Sequence, residues 1–224
     1  MIRERIRDVK ARIANAARRA GRNPEDIVLV AATKGVKTER IKEALAAGVR
    51  VFGESRIQEA RPKLTAMGDE AIWHFIGHLQ RNKAKYIVGE VVLIHSVDSM
   101  ELSEEINNRA QKKGIAQNIL LEVNISGEKG KFGLLPYAVI DMVKVISRLK
   151  SVSLKGLMTI PPFFENPEDA RPYFRRLREL RDNIVRLGIC PPDFRELSMG
   201  MSSDFERAIE EGTTIVRVGT AIFG

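Results

Sequence analysis

The chain has 224 residues, 44% of them hydrophobic, and a formal net charge of +8 at pH 7. That is enough apolar material for one sizeable core, so a single domain over residues 1–224 is expected. One cysteine, Cys190, excludes an intramolecular disulfide and a thiolate metal cluster. No apolar run approaches a membrane span, and the mixed charges of Met1-Ile2-Arg3-Glu4-Arg5 do not read as a secretory leader. A soluble cytoplasmic protein is expected. The basic residues fall in scattered doublets, Arg18-Arg19, Lys112-Lys113 and Arg175-Arg176. Without an aromatic-interleaved stretch or a recognition-helix pattern, this charge reads as a solvated surface favouring small anions over nucleic acid.

Strand and helix signals alternate along the whole chain. Ile2, Ile6, Val9, Ile13, Ala17 and Ala20 recur at helical spacing, giving an amphipathic helix stopped by Gly21 and Pro24. A first strand, Ile27 to Thr33, is apolar and β-branched, as in strands buried on both faces of a parallel sheet. Thr38 opens a helix carrying Ile41, Ala44 and Leu45 and ending at Gly48. Strands follow at Val49–Gly53, Ile72–Gly77 and Val91–Val97, separated by a helix near Gln58–Ala66 and a short helix through Asn82 and Tyr86. A helix over Glu101–Lys113 leads to a strand at Asn118–Asn124. The helix of Val139, Ile140, Val143 and Ile146 precedes a strand at Leu154–Ile160, broken by Pro161-Pro162. A long helix with Tyr173, Phe174, Leu177, Leu180, Ile184 and Leu187 on one face comes next. The strand Glu196–Met199 runs into a capping box, Ser203-Asp204-Phe205-Glu206. The last strand is read as Ile215 to Phe223. Eight such units predict an α/β fold, a closed (β/α)8 TIM-type barrel with an extra N-terminal helix.

Such a barrel gathers function at the carboxyl ends of its strands. Lys34 stands there, just past the first strand, where a partly desolvated amine could attack a carbonyl. By alternation Val30, Ala32 and Lys34 share one face of the first strand, and Ile215, Arg217 and Gly219 share one of the last. If both faces line the lumen, Lys34 and Arg217 meet where the barrel closes. A buried Arg217 needs an acceptor, which either a ligand or a barrel acid such as Glu122 can provide. Ser198 to Ser203 runs directly into a helix, and Val218-Gly219-Thr220 offers close backbone approach plus a hydroxyl; both suit a phosphate. Helix capping is the plainer role for Ser202-Ser203. His74, His78 and His95 lack the carboxylate company of a metal site.

These segments resemble the YggS/PROSC family of pyridoxal-phosphate homeostasis proteins from Ile27 to Gly224. The resemblance rests on Phe52-Gly53-Glu54, Trp73 through Lys83, Gly156-Leu157-Met158, Leu197 through Ser202 and Val216 through Gly224. It implies a barrel like the N-terminal domain of alanine racemase. Its cofactor would be pyridoxal 5′-phosphate (PLP), held as a Schiff base on Lys34. It further implies that Ser198, Gly219 and Thr220 hold the phosphate and that Arg217 faces the pyridine nitrogen. Ser55 stands where family members usually carry asparagine, and Gly35-Val36-Lys37 where a proline is usual. The resemblance implies a monomer that keeps PLP for apo PLP-dependent enzymes without turnover of its own. The alternative is a racemase-like enzyme, which needs acid/base groups on both faces of its substrate. In alanine racemase one of these comes from a partner subunit's second domain, and no such domain is read here. A barrel binding some other phosphate is a third reading, open only if Lys34 makes no imine.

Overall fold

A computed structural model describes residues 1–224. Eight parallel strands close into a barrel in sequence order: β1 (Val28–Ala32), β2 (Val51–Glu54), β3 (Ile72–Phe75), β4 (Leu93–Val97), β5 (Gln117–Glu122), β6 (Val152–Met158), β7 (Glu196–Ser198) and β8 (Ile215–Val218). Helix α1 (Ile2–Arg19) precedes them, and α2 (Thr38–Ala46), α3 (Ile57–Met67), α4 (Met100–Lys112), α5 (Pro136–Ile146), α6 (Arg171–Arg186), α7 (Phe205–Glu210) and α8 (Thr220–Phe223) lie between and after them. The β3–β4 crossover carries only a 3-10 helix, Arg81–Tyr86. No helix is long and apolar enough to cross a membrane.

The core has two unequal parts. A cluster of 51 buried residues fills the space between strands and helices. Inside the barrel only six apolar residues, Val30, Ile76, Leu93, Leu120, Met158 and Ile215, form the plug. The lumen above that plug is therefore free for polar side chains. Helix α1 buries Ile2, Ile6, Val9, Ile13, Ala16 and Ala17 and packs on α2, α7 and α8. It thus covers the β8–β1 seam, which a four-residue α8 is too short to cover alone.

Two expectations are corrected. The last strand stops at Val218 rather than reaching Phe223, because Gly219 opens a helical turn. Its carbonyl accepts from Ile222 and Phe223, and that of Thr220 from Gly224. The β-branched Ile222 is buried in that turn, where packing overrides its strand propensity. The capping box at Ser203 does not form either. Helix α7 begins at Phe205 with Asp204 at its N-cap, and Asp204 Oδ1 turns back to accept from the Met201 N–H at 2.6 Å.

Gly77 fixes how closely two strand exits approach. A Cβ there would lie 2.2 Å from the Ser55 carbonyl oxygen, and the Gly77 carbonyl accepts from Ser96 Oγ at 2.5 Å. Gly77→Ala is expected to lower stability by about 2–3 kcal/mol, as overpacking against backbone does. A urea midpoint equal to that of the parent chain would refute this close approach.

Candidate functional site

Lys34 lies in a turn that its neighbours hold rigidly. The turn follows β1, and the Val36 N–H donates to the Thr33 carbonyl. Gly35, at φ 70°, supplies the left-handed residue the turn requires. Beneath it is a buried ion pair, Lys63 Nζ to Glu54 Oε2 at 2.6 Å. The same ammonium donates to the Thr33 carbonyl at 2.7 Å and to Glu59 Oε2 at 3.0 Å, so all three of its protons are used. Glu59 Oε2 also accepts the Gly35 N–H at 2.7 Å. That hydrogen bond, then the one from Lys63, holds the Glu59 carboxyl at about 2. Glu54 Oε1 accepts the N–H groups of Ser55 and Arg56. Both flanks of Lys34 are therefore anchored, while Lys34 itself is exposed rather than desolvated.

Arg217 occupies the lumen as strand alternation predicts. It pairs in register with Val30, a member of the plug. Lys34 stands four residues beyond that partner, so the two do not meet at one level of the barrel; roughly 13 Å of strand rise separates their positions. Arg217 is 4% exposed. Its Nη1 donates to the Ser198 carbonyl at 2.9 Å and to Ser198 Oγ at 2.5 Å, and its Nη2 to the Thr159 carbonyl at 2.9 Å. It forms no ion pair with Glu122, so that alternative falls. Desolvation lowers its pKa to about 10, with Glu122 and Asp204 opposing the shift from a distance.

Two histidines extend this network across the lumen. His95 Nδ1 lies 2.9 Å from Ser198 Oγ, and His95 Nε2 lies 3.0 Å from His74 Nδ1. Because Arg217 donates to Ser198, the serine proton is free to point at His95, which then donates onward to His74. Both rings are neutral at pH 7. Burial lowers His74 to about 4, and burial, then His74 and the Arg217 charge, hold His95 well below its ordinary value. Glu122, 7% exposed, has no hydrogen-bond partner for its carboxyl. Burial and then the nearby Asp98 raise it to about 7, against the pull of Arg217.

The remaining expected residues group at the end of β8. Gly219 packs against Ala32, the last residue of β1, and Thr220 is exposed beside it. Ser202 Oγ accepts the N–H groups of Gly219 at 3.2 Å and Ala221 at 3.3 Å. Two backbone donors thus converge on one oxygen. Ser198 belongs instead to the Arg217 network deeper in the lumen. Sequence reasoning left Ser202 between a phosphate loop and helix capping, and it missed the His74–His95 pair. The only sequence signal for the pair was the even spacing that turns both imidazoles inward.

Comparison with known proteins agrees with this fold. Residues 5–224 match the family model for the alanine racemase N-terminal domain. The pyridoxal phosphate homeostasis protein of Aquifex aeolicus is 50% identical over 99% of this chain and 96% of its own. The chain belongs to the pyridoxal phosphate homeostasis protein family. Among solved structures, a Bifidobacterium adolescentis protein of unknown function superposes with TM-score 0.92 at 41% identity, covering 99% of this chain and 94% of its own. PipY of Synechococcus elongatus, solved with PLP bound, gives 0.87 at 32% identity over the full length of both chains.

Lys63→Met would leave the Glu54 carboxylate buried without its partner. It is expected to cost about 3–5 kcal/mol of unfolding free energy, with less than additive loss when combined with Glu54→Gln. Full additivity in denaturant titrations would refute the coupling. Glu122 gives a pH signature. The folded chain keeps it protonated up to about 7, whereas the unfolded chain ionises it near its ordinary value of 4.5. Its stabilisation is therefore complete below that value and lost as pH rises through 7, by about 2–3 kcal/mol. Glu122→Gln should gain stability relative to the parent between pH 5 and pH 8; a constant difference across that range would refute the assignment.

Proposed function

We propose that this chain binds PLP through Lys34 and serves in PLP homeostasis as a holder of the cofactor rather than as an enzyme. The observation that carries this reading is the set of unused donors on Arg217. Its Nη1 protons and one Nη2 proton are taken by Ser198 and Thr159, while Nε–H and the second Nη2 proton have no partner within the chain. A buried guanidinium held by its back edge, with donors left over, suits a neutral ring nitrogen as acceptor. The Gly219 and Ala221 N–H groups, already converged on the Ser202 oxygen, suit a phosphate oxygen.

In this reading Gly219 and Thr220 hold the phosphate with Ser202 beside them, and Ser198 acts by fixing Arg217. The offset between Lys34 and Arg217 leaves room for a ring between them. PLP supplies an aldehyde carbon that the Lys34 amine can hold as an imine. An arginine facing the ring nitrogen does not protonate it, which limits electron withdrawal and favours holding over turnover. The names of the relatives and the PLP bound in PipY support the same reading.

Incubating the purified chain with PLP, reducing with borohydride and mapping the mass increase should place one adduct on Lys34. Lys34→Ala should lose the adduct and the visible absorbance. An adduct on another lysine, or none, would overturn the assignment. Sustained racemisation of single-enantiomer amino acids by the loaded protein would overturn the non-enzyme reading.

A further inference from the structure

The Trp73 to Lys83 motif contributes little to the barrel mouth, yet its end lines a cavity of about 900 Å³ outside the lumen. The cavity lies between α3 and the 3-10 helix Arg81–Tyr86. Lys34, Arg217 and Gly219 take no part in it. Its charged lining is all cationic: Arg56, Arg61 and Lys83, with no carboxylate. Arg56 is paired with Glu59 at 3.1 Å, but Arg61 and Lys83 form no ion pair. Both lean toward the Tyr86 ring, at 5.6 Å and 5.9 Å from its centroid. Gln58, Thr65, Gln80 and Tyr86 also line this space, and their side chains make no hydrogen bond within the chain. The floor is apolar, with Ile57, Pro62, Ala66 and Phe75.

We infer that this cavity is a second ligand site, for a small phosphorylated organic molecule. Two uncompensated cations with neutral donors around them select an anion. A volume of this size exceeds what one inorganic ion fills and falls in the range of small-molecule sites. The apolar floor suits the organic part of the ligand. The residues read as touching PLP, Lys34, Ser198, Arg217, Gly219 and Thr220, do not line the cavity; it shares with that site only Ser55 and Arg56, whose backbones support the Lys34 turn.

The probe is 4-methylumbelliferyl phosphate, titrated calorimetrically into the full chain at low salt, with unphosphorylated 4-methylumbelliferone as control. The phosphate ester should bind and the control should not, and binding should weaken as salt is raised. Two exposed threonines separate this cavity from the barrel rim. Thr65→Glu puts a carboxylate in the cavity and should remove a binding event that Thr220→Glu, at the rim, leaves in place. Arg61→Ala with Lys83→Ala should weaken that event at least tenfold. No binding, equal binding of the control, or binding untouched by both cavity variants and lost in Thr220→Glu would overturn the site. Failure of the Lys34 adduct would leave these outcomes unchanged.

Discussion

A guanidinium carried from water into a barrel lumen loses its hydration, and the chain must replace at least part of it. Arg217 does so with the Ser198 and Thr159 carbonyls and the Ser198 hydroxyl, all on β6, β7 and their exits. Those acceptors are in reach only because β7 and β8 keep their register and the plug below is small. The charge then dictates its surroundings. Burial keeps His95 and His74 neutral, the Arg217 charge adds to that effect at His95, and hydrogen bonds pass along the pair in one direction. A carboxylate in contact would neutralise the guanidinium, and Glu122 stays out of ion-pair reach with its own proton kept by burial. The lumen therefore holds one cation whose front donors remain available.

Lys34 is built on the opposite principle. Its amine is solvated, and order comes from what lies under its turn. Lys63, Glu54 and Glu59 use each other and the backbone of Thr33 and Gly35 so fully that no proton of the ammonium is left over. Buried ion pairs gain little net stability when well solvated alternatives exist. Here the pair gains geometry: it fixes the two residues flanking an otherwise free lysine. The result is a rigid turn that presents an exposed amine at the barrel mouth.

The alternation of strand and helix made the barrel legible, because parallel strands buried on both faces leave near-continuous apolar runs such as Ile27–Ala32. Parity placed Arg217 in the lumen for the same reason. Register was not legible: nothing in the chain says that Arg217 sits beside Val30 rather than Lys34. Ser203 carried the pattern of a cap, but Asp204 takes that position and spends its carboxylate on Met201. Residues Gly219 to Phe223 read as strand, whereas the tight Gly219 turn decides their course. The Lys63 network was invisible because its members are spread over β1, β2 and α3, and only folding brings them together.

One asymmetry links the two halves of the mouth. On the β6–β8 side Thr159, Arg217 and Ser198 are buried and directed, and their hydrogen bonds run on to His95 on β4 and His74 on β3, while Thr220 stays exposed at the rim. On the β1–β3 side the buried pair supports the exposed Lys34 at the rim and the half-buried Ser55 toward the outer cavity. Preorganised donors bind without reordering, so the first side supplies fixed recognition. Exposed side chains keep their rotamer freedom until a ligand arrives, so the second side supplies access. The mouth thus joins a preorganised wall that can select a ligand without reordering to an open rim that keeps the ligand within reach of solvent.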